Sequence, residues 1–273
     1  MTAQAPQIIA DLFALSSCTA IVTGGTGGLG LTMTIALAEA GANITSIEVP
    51  GDPVSSVLRE KVESLGRAYS KYECDVKDSA QLRAVFKKVW EDAEGGKAET
   101  PLPNILLNCA GINRRGPAES LSDEEIDEVF AVNQKALFVC CQEFAKGLLS
   151  RSLPGKLINI ASTAGFIGPT TISAYAATKG AVIQMTRAFS TEWAGKGIQV
   201  NCICPGYFWT EMTKQYAEDP QYKDFNDYIL SRCPTGRWGM PDDLRGAVIF
   251  LASRASQYVS GQAVVVDGGL LAK

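Results

Sequence analysis

The 273-residue chain contains no histidine. That excludes a His-centred hydrolase triad, a His-ligated catalytic zinc and an imidazole base. Acid–base chemistry must then run on Tyr, Lys, Asp, Glu or Cys. No Cys-x-x-Cys pair occurs among the eight cysteines, at 18, 74, 109, 140, 141, 202, 204 and 233. A strand over Asn201-Cys-Ile-Cys204 would turn Cys202 and Cys204 to one face. Small buried thiols in a reducing compartment are expected there, with a metal clip as the alternative. Net charge is −4 and no Lys/Arg run exceeds two residues, so nothing points to a nucleic-acid or membrane surface. No apolar stretch approaches the ~20 residues of a membrane-spanning helix. The opening Met-Thr-Ala-Gln-Ala-Pro-Gln lacks the basic start and apolar core of a secretion signal, and a cytoplasmic address is expected.

Apolar residues at 46% and charged residues at 20% describe an ordinary globular protein. The length suits one domain, 1–273, with residues 1–16 as an N-terminal extension. Strands are predicted over 19–23, 43–48, 68–73, 104–108, 156–161, 198–204 and 263–266. Helices are predicted over 28–40, 53–65, 79–94, 123–150, 173–195 and 241–252. Crossovers of that length cannot be hairpins, so the strands form right-handed βαβ units. The expected architecture is α/β: a single doubly wound (Rossmann) domain, its seven-stranded parallel sheet covered by helices on both faces. Ligands belong at the carboxyl ends of its strands. Residues 94–103 read as a surface loop. The irregular stretch 206–239, with Trp209, Tyr216, Tyr222, Phe225, Tyr228 and Trp238, reads either as a substrate lid or as a packed helical excursion.

The first strand runs into Gly24-Gly-Thr-Gly-Gly-Leu-Gly30 and then a helix. Glycines there let backbone N–H groups approach a pyrophosphate, whose charge the helix N-terminus stabilises. The second strand ends at Glu48, where an acid can accept hydrogen bonds from both ribose hydroxyls of the adenosine. A carboxylate at that point repels a 2′-phosphate, and neither the glycine loop nor Val49-Pro50-Gly51 supplies a cation. NAD(H) is therefore favoured, with NADP(H) the alternative. The plainer readings are a tight turn and a solvated strand end.

Tyr175 and Lys179 stand at i and i+4 in a helix-compatible segment and so share one face. A free phenol has a pKa of about 10. A fixed ammonium nearby, and the positive ring of an oxidised nicotinamide, would favour its ionised form. Ser162 ends the fifth strand, thirteen residues before Tyr175. Its hydroxyl there either holds a substrate oxygen or caps the following turn.

Thr23-Gly-x-x-x-Gly-x-Gly30, Asp75, Asn108-Cys-Ala-Gly111, Asn133, Ser162, Tyr175-x-x-x-Lys179 and Pro205-Gly206 together resemble the short-chain dehydrogenase/reductase family. The match is spread from about residue 17 to residue 269. The resemblance implies an oxidoreductase that interconverts a secondary alcohol and a ketone by hydride transfer. Tyr175 would be its general acid/base, Lys179 would tune that tyrosine, Ser162 would hold the substrate oxygen, and Asn133 would support a proton path to Lys179. Gly24, Thr26, Gly28, Leu29 and Gly30 would surround the pyrophosphate, Glu48 the ribose, and Asp75 with Val76 the adenine. Asn108, Ala110 and Gly111 would line the cofactor, with Cys109 where the family usually has Asn. Tyr175 and Lys179 would also meet the nicotinamide end, and Pro205, Gly206, Phe208 and Thr210 its carboxamide side. A homotetramer, or a dimer, built on the 123–150 and 173–195 helices and the 263–266 strand is implied as well.

Arg114 and Arg115 follow the fourth strand at the expected cleft mouth, where Arg can grip a carboxylate bidentately. A surface or inter-subunit salt bridge is the other reading. With Ser162 and Trp209 they are the candidate substrate contacts. The Ala110-Gly-Ile-Asn-Arg-Arg115 run is similar to family members acting on gluconate-type sugar acids, which makes a keto-sugar acid the expected substrate. A hydrophobic ketone, a non-redox lyase or cyclase reaction, and a non-catalytic nucleotide-binding role are the alternatives. No metal-ligand set is recognised.

Overall fold

The computed structural model describes residues 7–211 and 213–273, so the first six residues of the expected N-terminal extension lie outside the described residues. The strands are β1 (Thr19–Thr23), β2 (Asn43–Glu48), β3 (Tyr69–Glu73), β4 (Ile105–Asn108), β5 (Gly155–Ile160), β6 (Ile198–Pro205) and β7 (Ala263–Val266). They form one parallel sheet in the order β3-β2-β1-β4-β5-β6-β7. Thr23, at the end of β1, faces Ile47 on one side and Asn108 on the other. The chain winds outward in opposite directions from this point, which opens a crevice at the carboxyl edge.

Strands buried on both faces need apolar side chains in both directions. Ile21, Leu106, Leu157 and Val200 pack on one side against α4 (Ser79–Glu94), α6 (Leu137–Ser150) and α7 (Ser173–Trp193), through Phe86, Trp90, Phe144 and Val182. Residues an odd number of positions further on, Val22, Leu107, Ile158 and Ile203, pack on the other against α2 (Gly28–Glu39), α3 (Ser55–Ser64) and α10 (Arg245–Ala252), through Met33, Leu37, Leu58 and Val248. That alternation is the period of two expected for a strand with two buried faces. A short helix, α1 (Gln7–Phe13), precedes the sheet.

Two stretches depart from expectation. Residues 123–150 are not one regular helix but α5 (Asp123–Phe130), a π-helical turn over Ala131–Ala136, and α6. Asn133 sits in that turn and exchanges both amide hydrogen bonds with the backbone of Ile112, each at 2.8 Å. A π turn accommodates one extra residue and is commonly found beside functional sites. Residues 206–239 are more ordered than an irregular stretch: they carry α8 (Lys214–Glu218) and α9 (Lys223–Arg232). Here Ile229, Cys233, Trp238 and Leu270 form a small apolar core, with Tyr207, Trp209, Tyr216 and Phe225 packed against it. Among the described residues no helix is long and apolar enough to cross a membrane.

Candidate active site

The glycine loop joins β1 to α2 with its backbone pressed against neighbouring backbone. Gly24 has φ +66, and a Cβ there would come within 2.6 Å of the Ala110 nitrogen. A Cβ at Gly30 would overlap the Gly24 carbonyl oxygen and press on Cys109 Sγ at 3.0 Å. Gly27 and Gly28 differ: added Cβ atoms would meet nothing within 4 Å. Gly27 is the N-cap of α2 and supplies no side-chain cap, so the first N–H groups of the helix are left for an outside acceptor. Packed glycines below, open glycines above and an uncapped helix start fit a dinucleotide pyrophosphate.

Ser162, Tyr175 and Lys179 converge beyond the carboxyl end of β5. Ser162 follows the strand by two residues, and its Oγ accepts from the Ala164 N–H at 3.1 Å. The cap foreseen for it is therefore present, and the hydroxyl hydrogen remains free to donate elsewhere. Tyr175 lies in the first turn of α7, half-buried, with the Ser162 hydroxyl beside its phenol. Burial pushes the phenol above its ordinary pKa, and the Ser162 hydrogen bond pulls it back only in part. The expected acidification by a neighbouring cation is thus not found in the protein alone: burial dominates, and the one group that lowers the value is the Ser162 hydroxyl.

Lys179, one turn along α7, is 4% exposed, and its Nζ donates to the Ile160 carbonyl at 2.7 Å. The ammonium stands 5.4 Å from the centroid of the Tyr175 ring. Burial lowers its pKa to about 8. Asn133 Nδ2 also donates to Thr178 Oγ1 at 3.2 Å, and Thr178 Oγ1 donates to the Tyr175 carbonyl at 2.7 Å. A continuous polar path thus links the π turn, the loop after β4 and the turn bearing Tyr175.

The remaining candidates divide. Asn108 directs its amide into the sheet: Nδ2 donates to Asn159 Oδ1 at 2.9 Å and to Cys141 Sγ at 3.3 Å, which ties β4 to β5. Asn108 also lines a small cavity together with Thr23, Val76 and Ala110, and a Cβ on Gly111 would lie 3.6 Å from Lys179 Nζ. Asp75 Oδ1 accepts from the Lys77 N–H at the end of β3, and Val76 beside it is buried. Leu29 is half-buried against the second apolar cluster. Pro205 ends β6, Gly206 is held tight against Asp267, and Phe208 is 5% exposed, packed on Gly239. The Thr210 N–H and hydroxyl both bond to Thr213 Oγ1, at 2.9 and 3.0 Å.

The two arginines part company. Arg114 donates to Glu128 Oε2 at 2.6 Å, and Lys77 joins the same carboxylate. That is the surface ion pair foreseen as its plainer role. Arg115 instead lies 5.1 Å from the Tyr216 ring and 5.9 Å from the Phe225 ring, with one bond to Thr171 Oγ1 at 3.4 Å. Thr171 has φ +64, an uncommon conformation for a β-branched residue. Trp209 Nε1 donates to Glu218 on α8 at 2.8 Å.

At the outer end of β2, Glu48 is 3% exposed. One of its oxygens accepts from the Tyr69 hydroxyl, and the other has no partner among the described residues. Sequence reasoning passed over Asp52, whose Oδ2 accepts from Thr26 Oγ1 of the glycine loop at 2.6 Å. Its signal was the turn-forming Gly51-Asp52-Pro53.

A glycine cradle at the topological switch point, with a phenol, a hydroxyl and an ammonium gathered across the crevice, suits a dinucleotide-dependent α/β oxidoreductase. A family profile described as enoyl-(acyl carrier protein) reductase matches residues 24–271. The chain is 40% identical to the 2-dehydro-3-deoxy-D-gluconate 5-dehydrogenase of Pseudoalteromonas atlantica, covering 96% of this chain and 99% of that one. It is 38% identical to the gluconate 5-dehydrogenase of Gluconobacter oxydans, over 95% and 97% of the two chains. The crystal structure of a gluconate 5-dehydrogenase from Burkholderia cenocepacia, in complex with NADP and tartrate, superposes with a TM-score of 0.88 at 37% identity, covering 97% and 99%. The chain belongs to the short-chain dehydrogenase/reductase family, and it is an NAD(P)-dependent oxidoreductase.

Proposed function

We propose that the chain interconverts the secondary alcohol and ketone of a sugar acid, with NAD(H) as its preferred cofactor. The observation that carries this reading is the Ser162–Tyr175–Lys179 cluster at the carboxyl edge, facing the glycine cradle. The bound dinucleotide supplies the hydride donor or acceptor at its nicotinamide ring. In reduction, the Ser162 hydroxyl donates a hydrogen bond to the carbonyl oxygen and keeps its proton, while Tyr175 transfers its proton to the developing alkoxide. Burial keeps that phenol protonated near neutrality, the state an acid needs. In oxidation the same phenol must act as base, and the Lys179 ammonium stabilises its charge across the short, desolvated gap. Asn133 and Thr178 hold the Tyr175 turn against the loop after β4.

Arg115 is assigned the substrate carboxylate, because Arg114 is committed to Glu128 while Arg115 keeps donors free at the mouth. The segment 206–239 is assigned the cover over that mouth, and the names of the relatives support a gluconate-type acid. The half-exposed edge strand β7, and Phe138 at 43% exposure on α6, support self-association to a homotetramer. Free cysteines, most of them buried, support a reducing, cytoplasmic setting. Tyr175→Phe is expected to lower turnover of a 5-keto-sugar acid by about 10²–10⁴-fold, followed at 340 nm, with dinucleotide binding unchanged. Retained turnover overturns the assignment.

A further inference from the structure

Two carboxylates stand near the outer end of β2, and geometry separates them. Glu48 is nearly closed to solvent, held by the hydroxyl of a fully buried Tyr69. The Arg59 guanidinium lies over that tyrosine at 5.0 Å from the ring centroid. Asp52 is half-buried in the turn before α3. Its Oδ1 accepts from the Val54 N–H at 2.8 Å, while Oδ2 reaches across to Thr26 of the glycine loop. Thr26 directly precedes Gly27 and Gly28, the two glycines of that loop at which an added Cβ would meet nothing within 4 Å.

The surrounding charge is negative. Lys71 is the cation that feels both Glu48 and Asp52, but its Nζ pairs with Glu73 at 2.9 Å. Two cations, Lys71 and the Arg59 guanidinium held by Glu63 and Glu99, thus stand among five carboxylates. A ribose hydroxyl can replace the Thr26 hydroxyl as donor to Asp52, one neutral donor for another. A 2′-phosphate offers little or no hydrogen and brings close to two negative charges. We infer that Asp52, latched to Thr26, sorts NAD(H) from NADP(H), and that Tyr69 withdraws Glu48 from that task. This inference deepens the NAD(H) preference proposed above and rests on it.

The test is equilibrium titration of NADH and NADPH by protein fluorescence, with ADP and 2′,5′-ADP compared by calorimetry. The wild type, Asp52→Asn and Glu48→Gln are measured side by side. Asp52→Asn keeps an acceptor for Thr26 and removes the charge. It is expected to raise affinity for NADPH and 2′,5′-ADP by about tenfold, with little change for NADH and ADP. Glu48→Gln should leave the NADPH-to-NADH ratio within about twofold, as expected for a charge held off the nucleotide and screened. A shifted ratio in Glu48→Gln overturns the inference. So does an unmoved ratio in Asp52→Asn, which stands alone if Glu48→Gln does not fold. Equal affinity of the wild type for NADH and NADPH would overturn the NAD(H) preference itself, a result distinct from either variant's failure.

Discussion

Gly30→Ala and Gly27→Ala form a pair that separates the packing role of the glycine loop from its binding role. Gly30 is the third residue of α2, where alanine would ordinarily gain about 1 kcal/mol of helix propensity. Its new Cβ, however, would overlap the Gly24 carbonyl oxygen and stand 3.0 Å from Cys109 Sγ. The first obstacle is backbone in a loop itself wedged against Ala110, so relief requires the loop to move rather than a side chain to rotate. Overpacking of this kind costs about 1–3 kcal/mol or more, enough to exceed the propensity gain. A net loss of about 2 kcal/mol lowers Tm by roughly 4–8 °C in a protein of this size. Gly27 has φ −120 and ψ 147, which alanine adopts freely, and its Cβ would meet nothing within 4 Å. Poorer capping should cost Gly27→Ala under about 1 kcal/mol. Differential scanning calorimetry should therefore show a large Tm loss in Gly30→Ala and a small one in Gly27→Ala. NADH titration should show weakened binding in both, by about tenfold or more where a methyl group holds a phosphate off its N–H donors. Wild-type NADH affinity in Gly27→Ala would refute the idea that the open side of the loop is where the pyrophosphate lies.

Two further outcomes follow from the arginines after β4 and from a buried lysine in β5. Arg115→Ala should raise KM for a sugar acid by about tenfold or more, the usual worth of a charge-assisted hydrogen bond. Arg114→Ala, which breaks only an exposed ion pair with Glu128, should change KM little; equal effects would refute the division between them. Lys156 is 8% exposed, its ammonium bonded, among the described residues, only to Ser256 oxygens, and burial lowers its pKa from 10.5 to about 8. The unfolded chain therefore binds more protons between those values, so this group's contribution to stability rises with pH across that window and is poorest below it. Lys156→Met should flatten the rise seen in denaturant titrations from pH 8 to 10.5. It should also stabilise the protein at pH 7 by about 1–3 kcal/mol, and an unchanged slope would refute the reading.

Much of the fold was legible because a parallel sheet covered on both faces leaves a coarse signal. Ile21 and Val22 are both apolar because both directions are buried, and no interpretation of finer contacts is needed to see it. Strand ends were less legible: Ser162 was read as ending β5, whereas the strand stops at Ile160. Hydrogen-bond partners far apart in sequence were not legible at all. Asn133 is bonded to Ile112, twenty-one residues away, and that pairing accompanies the π turn that interrupts an otherwise regular helical pattern. Likewise, Glu48 read correctly as an acid at the end of β2. The tyrosine that occupies it comes from β3, the neighbouring strand, where Glu48 and Glu73 are in register. Local pattern reports which face a residue takes; it does not report who else has claimed the same polar atom.

Lys156 and Lys179 show what decides between function and structure when the electrostatics are alike. Both are buried lysines, both sit near pKa 8, and desolvation is the leading cause for each. A perturbed value alone would rank them equally as site residues. Their places in the fold differ. Lys156 is the second residue of β5, at the amino edge, where its ammonium caps carbonyl and hydroxyl oxygens of Ser256. Lys179 stands past the other end of the same strand and bonds to its last residue, Ile160. Only at that carboxyl edge do neighbouring strands diverge enough to admit a ligand. There the ammonium has a phenol beside it and two hydrogens beyond the one given to Ile160. The cost of burying the two cations is therefore comparable, but only Lys179 can recover it from a bound molecule, which is why the chemistry is assigned to one end of β5 and not the other.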